Sequence, residues 1–99
     1  MRKIYLSIGS NKGNRYYFIK ESLRLIQKDI GEVILISKIY ETKSWGFHSD
    51  DFLNLCTLIK SELIPAELII KLKNIEESIG RKRNTDKIEA REIDIDILF

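Results

Sequence analysis

The chain predicts an α+β fold of the ferredoxin-like, split βαβ kind: element order βαββαβ, with two helices on one face of an antiparallel sheet. Two observations lead there. Strand-like segments, several alternating apolar and polar residues, open the chain, close it and occupy its middle. Between them lie two helical segments, each with a single apolar stripe: Ile19, Leu23, Ile26 and Ile30 in the first, Leu68, Leu72, Ile75 and Ile79 in the second. One stripe per helix is what packing onto one sheet face requires.

Taken in order, Lys3 to Ser10 is the first strand, with Ile4, Leu6 and Ile8 on one face. Gly9-Ser-Asn-Lys-Gly-Asn14 is turn chemistry, and Asn14 is placed to cap the first helix. Gly31 ends that helix in the position of a C-cap glycine. A second strand runs from Val33 to about Lys43 and a third from Phe52 to about Glu62. On the third, Phe52, Asn54 and Cys56 share one face and Leu53, Leu55, Thr57 and Ile59 the other. Pro65 suits the first turn of the second helix, and Gly80 stops it. The last strand alternates Ile93, Ile95 and Ile97 with Asp94, Asp96 and Leu98.

With 99 residues the chain is one domain, 1–99, able to bury a core. A 43% hydrophobic and 32% charged composition is that of a soluble globular protein, and a net charge of +2 gives no argument for a nucleic-acid partner. No apolar run approaches a membrane span. Cys56 is the single cysteine, which excludes a disulfide framework and fits a reducing, cytoplasmic setting.

The chemistry is concentrated near the end. Asp94 and Asp96 point to one face with Cα atoms about 7 Å apart, a repulsive pairing on a strand. Such a pair is either a wet face with solvated acids or a site for a hard cation such as Mg²⁺. Arg81, Lys82, Arg83, Lys87 and Arg91 precede it, outnumbering Asp86 and Glu89. In isolation that stretch reads as a solvated surface loop. Beside paired acids it has the layout for a polyphosphate, with arginines on the oxygens and carboxylates on the metal. Trp45 and Phe52 flank a polar, glycine-containing loop, either as core plugs or as a stacking surface for a flat ligand, with Asn54 offering donors and an acceptor. His48 has no second ligand at useful spacing. Glu76, near a helix C-terminus, opposes the helix dipole. The glycine turn after the first strand lacks a closing Gly-Lys-Ser/Thr, so it reads as a tight turn and not as a phosphate loop.

Four stretches together carry a resemblance: Leu6-Ser-Ile-Gly-Ser-Asn-Lys-Gly-Asn-Arg15, Ile39-Tyr-Glu-Thr-Lys-Ser-Trp-Gly46, Asp51-Phe-Leu-Asn54, and Ile75 through Arg83 on to Arg91 and Ile93-Asp-Ile-Asp-Ile-Leu98. In order and spacing the chain resembles the 6-hydroxymethyl-7,8-dihydropterin pyrophosphokinases of folate biosynthesis. That likeness implies transfer of diphosphate from ATP, a co-substrate, to the pterin's hydroxymethyl group. It implies that Asp94 and Asp96 hold two Mg²⁺ ions and that Arg81, Arg83 and Arg91 serve catalysis, the last two also binding ATP with Glu76 and Ile97. It places the pterin against Thr42, Trp45, Gly46, Phe52 and Asn54. The Gly9 region matches a signature read as structural, holding the loop beside the pterin site.

Departures are visible. Ile88-Glu89-Ala90 stands where the family usually has an aromatic residue and Gly-Pro, and Lys43-Ser44 where proline is usual. Family members continue past the Asp-x-Asp strand, so the chain corresponds to the N-terminal portion of the family's length. The alternative reading is a non-catalytic ferredoxin-like module that keeps a metal–nucleotide site or serves assembly. A third is a small-molecule sensor built on Trp45 and Phe52. Self-association through an exposed sheet edge is a further expectation.

Overall fold

Strand β1 (Arg2–Ser10) leads into helix α1 (Arg15–Asp29), then strands β2 (Glu32–Ile36), β3 (Tyr40–Thr42) and β4 (Phe52–Ser61), helix α2 (Pro65–Gly80) and strand β5 (Asp94–Leu98). The structure is a computed structural model, and it describes residues 2–43, 51–80 and 93–98. Strand β1 pairs antiparallel with β4 along its whole length, from Arg2 opposite Ser61 to Ser10 opposite Leu53. The other edge of β4 takes β2 and then β3, and β5 pairs antiparallel with the far edge of β1. The resulting order, β2-β4-β1-β5, places β4 between the two strands that α1 connects. That is the split βαβ arrangement the element order predicts.

The two helical stripes meet one face of the sheet. Ile19, Ile26 and Ile30 of the first and Leu68, Leu72 and Ile75 of the second pack on Leu6, Ile8, Leu55, Ile59, Ile93 and Ile95. Each such side chain contributes about 1.5–3 kcal/mol on burial. The alternation read from sequence therefore holds on β1, β4 and β5.

Local signals work mostly as expected. Gly13 has a φ of 68°, which side chains rarely adopt, so the turn before α1 needs glycine there. The Asn14 side chain accepts the Tyr17 N–H at 3.1 Å, capping α1.

Two expectations are corrected. The predicted strand from Val33 to Lys43 is two strands, because the Ser37 side chain takes over a ladder position: its Oγ accepts the Cys56 N–H at 2.9 Å while its own N–H donates to the Cys56 carbonyl at 2.8 Å. Upstream, Ile34 is the extra residue of a bulge between Val33 and Leu35. Gly31 is the second correction. Helix α1 ends at Ile30 in the right-handed region, and Gly31 does not adopt positive φ. Its service is close approach: a Cβ there would lie 2.1 Å from the Lys60 carbonyl oxygen. The buried Ser61 hydroxyl secures the same junction by donating to the Ile30 carbonyl at 2.8 Å.

Candidate functional site

In an antiparallel ladder, residues directly opposite share a face. The register therefore lays rows of side chains across the face turned away from both helices. One row reads Asp94, Gly9, Asn54, Tyr40 across β5, β1, β4 and β3. The next holds Asp96, Ser7 and Cys56. Phe52 stands opposite Thr42 at the end of the sheet. Strands lie about 4.8 Å apart, so the acid strand and the Asn54 strand are separated by roughly 10 Å. Only β1 lies between them, and it presents no side chain at Gly9.

On the β4 side the polar groups are organised. The Asn54 Nδ2 donates to Thr42 Oγ1 at 2.9 Å and approaches the Phe52 carbonyl at 3.5 Å. The Asn54 Oδ1 lies over Gly9, and the half-buried Phe52 ring flanks it. Tyr40 and Cys56 meet through Oη and Sγ 3.8 Å apart. That hydrogen bond, followed by desolvation, holds the Tyr40 phenol above its ordinary range.

On the β5 side, Asp94 is half-buried and Asp96 exposed. Both interact with other groups of the protein. Among the described residues no group of three or more His, Cys, Asp or Glu side chains gathers to hold a metal. Magnesium commonly takes only one or two carboxylates and completes its sphere with water and substrate phosphate. Two hard oxygen donors on one strand face fit that habit.

Of the residues singled out in sequence, Thr42, Phe52, Asn54, Asp94 and Asp96 come together on one face. Two lie elsewhere. Ile97, which pairs with Leu6, packs against the core. Glu76 reaches from α2 to β5, where its Oε2 accepts the Ile95 N–H at 2.7 Å. Strand β5 is at the sheet's edge, so Glu76 supplies a partner that no further strand provides among the described residues. This accounts for a negative charge against the helix dipole. Trp45, Gly46, Arg81, Arg83 and Arg91 lie outside the described residues, as does His48.

Arg15 was missed as a positioning group. Its Nη1 donates to the Asp51 carbonyl at 2.6 Å and lies 3.5 Å from a Glu41 carboxylate oxygen, joining the start of α1 to the middle of β3 and to the residue before β4. A cation in a helix's first turn is disfavoured by the dipole, and that was the available signal. From sequence, Gly9 stands only as part of a structural signature, because its neighbours across the sheet are far away in the chain.

The family model described as 7,8-dihydro-6-hydroxymethylpterin-pyrophosphokinase matches residues 5–99. The 2-amino-4-hydroxy-6-hydroxymethyldihydropteridine pyrophosphokinase of Aquifex aeolicus is 41% identical over 100 residues, covering 100% of this chain and 61% of that protein. Its namesake in Porphyromonas gingivalis is 40% identical over 102 residues, covering 100% and 69%. A folate synthesis bifunctional protein of Arabidopsis thaliana is 41% identical over 101 residues, covering 98% and 20%. The chain thus spans roughly two thirds of the two bacterial relatives, a little less of the first. By this match over nearly its whole length, the chain belongs to the 7,8-dihydro-6-hydroxymethylpterin-pyrophosphokinase family.

Proposed function

We propose that the chain transfers diphosphate from ATP to 6-hydroxymethyl-7,8-dihydropterin, releasing AMP, as a step of folate biosynthesis. The observation that carries this reading is the shared face. Asp94 and Asp96 stand on β5, and Thr42, Phe52 and Asn54 on β3 and β4, with the bare Gly9 position between them.

The pterin is a flat, polar-edged ring. Phe52 supplies a stacking face, and the Asn54 carboxamide, braced by Thr42, supplies hydrogen bonding. The triphosphate runs toward β5, where Asp94 and Asp96 would hold two Mg²⁺ ions. Bound there, the ions would neutralise phosphate charge and favour departure of AMP. In the reaction the hydroxymethyl oxygen forms a bond to the β-phosphorus. The bond from that phosphorus to the α,β-bridging oxygen breaks, its electrons leaving on AMP, and the hydroxyl proton passes to solvent. Positioning and electrostatics do most of this work, since the phosphoryl centre needs alignment more than acid–base help. Arg81, Arg83 and Arg91 are assigned to the phosphates, and Glu76 and Ile97 to the nucleotide side. Trp45 and Gly46 are assigned to the pterin side.

A cytoplasmic setting goes with this function, and the free thiol of Cys56 is consistent with it. No helix among the described residues is long and apolar enough to cross a membrane. Self-association would use the outer edge of β2, where Leu35 and Ile36 are exposed. Sedimentation that finds only monomer at high concentration rules it out.

The test of function is AMP release from ATP and Mg²⁺ with and without the pterin. Pterin-dependent AMP is the expected result. Nucleotide binding with neither pterin binding nor AMP would overturn the reading in favour of a binding module.

A further inference from the structure

We propose that Gly9 is a positioning residue for the pterin site, because the missing side chain leaves the space in which the Asn54 carboxamide lies. This rests on the reading of Asn54 and Phe52 as pterin-binding groups. A Cβ built on Gly9 would stand 2.8 Å from Asn54 Oδ1 and 3.4 Å from Phe52 Cδ1. The nearest backbone atom is the Leu53 carbonyl oxygen at 3.7 Å, an ordinary contact. Gly9 does not adopt positive φ, so its backbone conformation is open to alanine. Nothing in the ladder requires glycine at this point; the Asn54 carboxamide does, while the Phe52 ring would be in ordinary contact.

The conflict falls on the far end of a flexible side chain. An alanine at position 9 pushes the carboxamide away at small cost to the fold. Its Nδ2 then leaves Thr42 Oγ1, now 2.9 Å away, and its acceptor turns from the ligand's edge. Gly9→Ala is therefore a substitution read in pterin affinity and not in stability.

The experiment is calorimetric titration of 6-hydroxymethyl-7,8-dihydropterin onto the protein holding Mg²⁺ and a non-hydrolysable ATP analogue. Four proteins are compared: the unsubstituted chain, Gly9→Ala, Asn54→Ala and the double variant. Gly9→Ala is expected to weaken pterin binding about tenfold, the size of one lost hydrogen bond. Affinity for the analogue and the thermal midpoint should stay near the unsubstituted values. In the Asn54→Ala background the same change should add little, because the group it displaces is gone. Equal loss in both backgrounds, unchanged pterin affinity in Gly9→Ala, or a Gly9→Ala protein that does not fold overturns the proposal. Failure of the unsubstituted chain to bind the pterin overturns the functional reading itself, and is separately visible.

Discussion

The two faces of the sheet are built from the same strands and obey opposite rules. Toward the helices, Leu6, Ile8, Leu55, Ile59, Ile93 and Ile95 form a closed apolar layer. Away from them, one residue along each strand, stand Gly9, Asn54, Asp94 and Asp96. A single-residue step exchanges stability for chemistry. Gly31, at the junction of α1 and β2, and Gly9, within β1, make the same point. An added Cβ at Gly31 meets backbone at 2.1 Å, whereas at Gly9 it meets a side-chain tip at 2.8 Å. One conflict must distort the fold, and the other can be relieved by moving the Asn54 side chain.

The contrast can be broken by substitutions that cross it. Leu72→Ala, on the covered face, should cost about 3 kcal/mol in urea unfolding while leaving the ligand affinity of the folded protein intact. A loss of affinity without a loss of stability would erase the distinction between faces. Asp94→Ala or Asp96→Ala should do the reverse. AMP formation is expected to fall by roughly a hundredfold or more, with a smaller change in the thermal midpoint than Leu72→Ala gives. Metal-dependent nucleotide affinity that survives either change contradicts the assignment. Gly31→Ala should destabilise by about 2 kcal/mol, since the Lys60 carbonyl cannot move aside without straining β4. A midpoint unmoved in thermal unfolding would show that the junction has slack. The smallest effect is at the sheet's edge. Glu76→Ala should cost about 1.5 kcal/mol by leaving the Ile95 N–H without its charged acceptor, and Glu76→Gln should recover part of that. Equal stability of all three proteins would leave Glu76 with only a ligand-side role.

Much of this was legible from residue order because the information was periodic. Ile93 and Ile95 against Asp94 and Asp96 declare their faces without knowledge of neighbours, and the helical stripes do the same. Asn14 and Gly13 act within a few residues of themselves, so the turn was readable too. What escaped depends on partners distant in sequence. Ser37 looks like any strand serine until its hydroxyl is seen accepting the Cys56 N–H. Gly31 occupies the place of a capping glycine yet serves the approach of β4. Glu76 and Arg15 announced themselves only as charges on the wrong end of a helix, with no hint of the Ile95 amide or the Asp51 carbonyl they hold. Gly9 needed the knowledge that β1 runs between β4 and β5.

The central claim is that metal-bound nucleotide and pterin meet on the helix-free face, with the metal at β5. Manganese in place of magnesium, with a non-hydrolysable ATP analogue, turns that into a map of paramagnetic line broadening. Broadening should be strongest at Asp94 and Asp96, reach Ser7 and Gly9 across one strand, and weaken toward Asn54. Broadening centred away from β5, or none at nucleotide saturation, would contradict it.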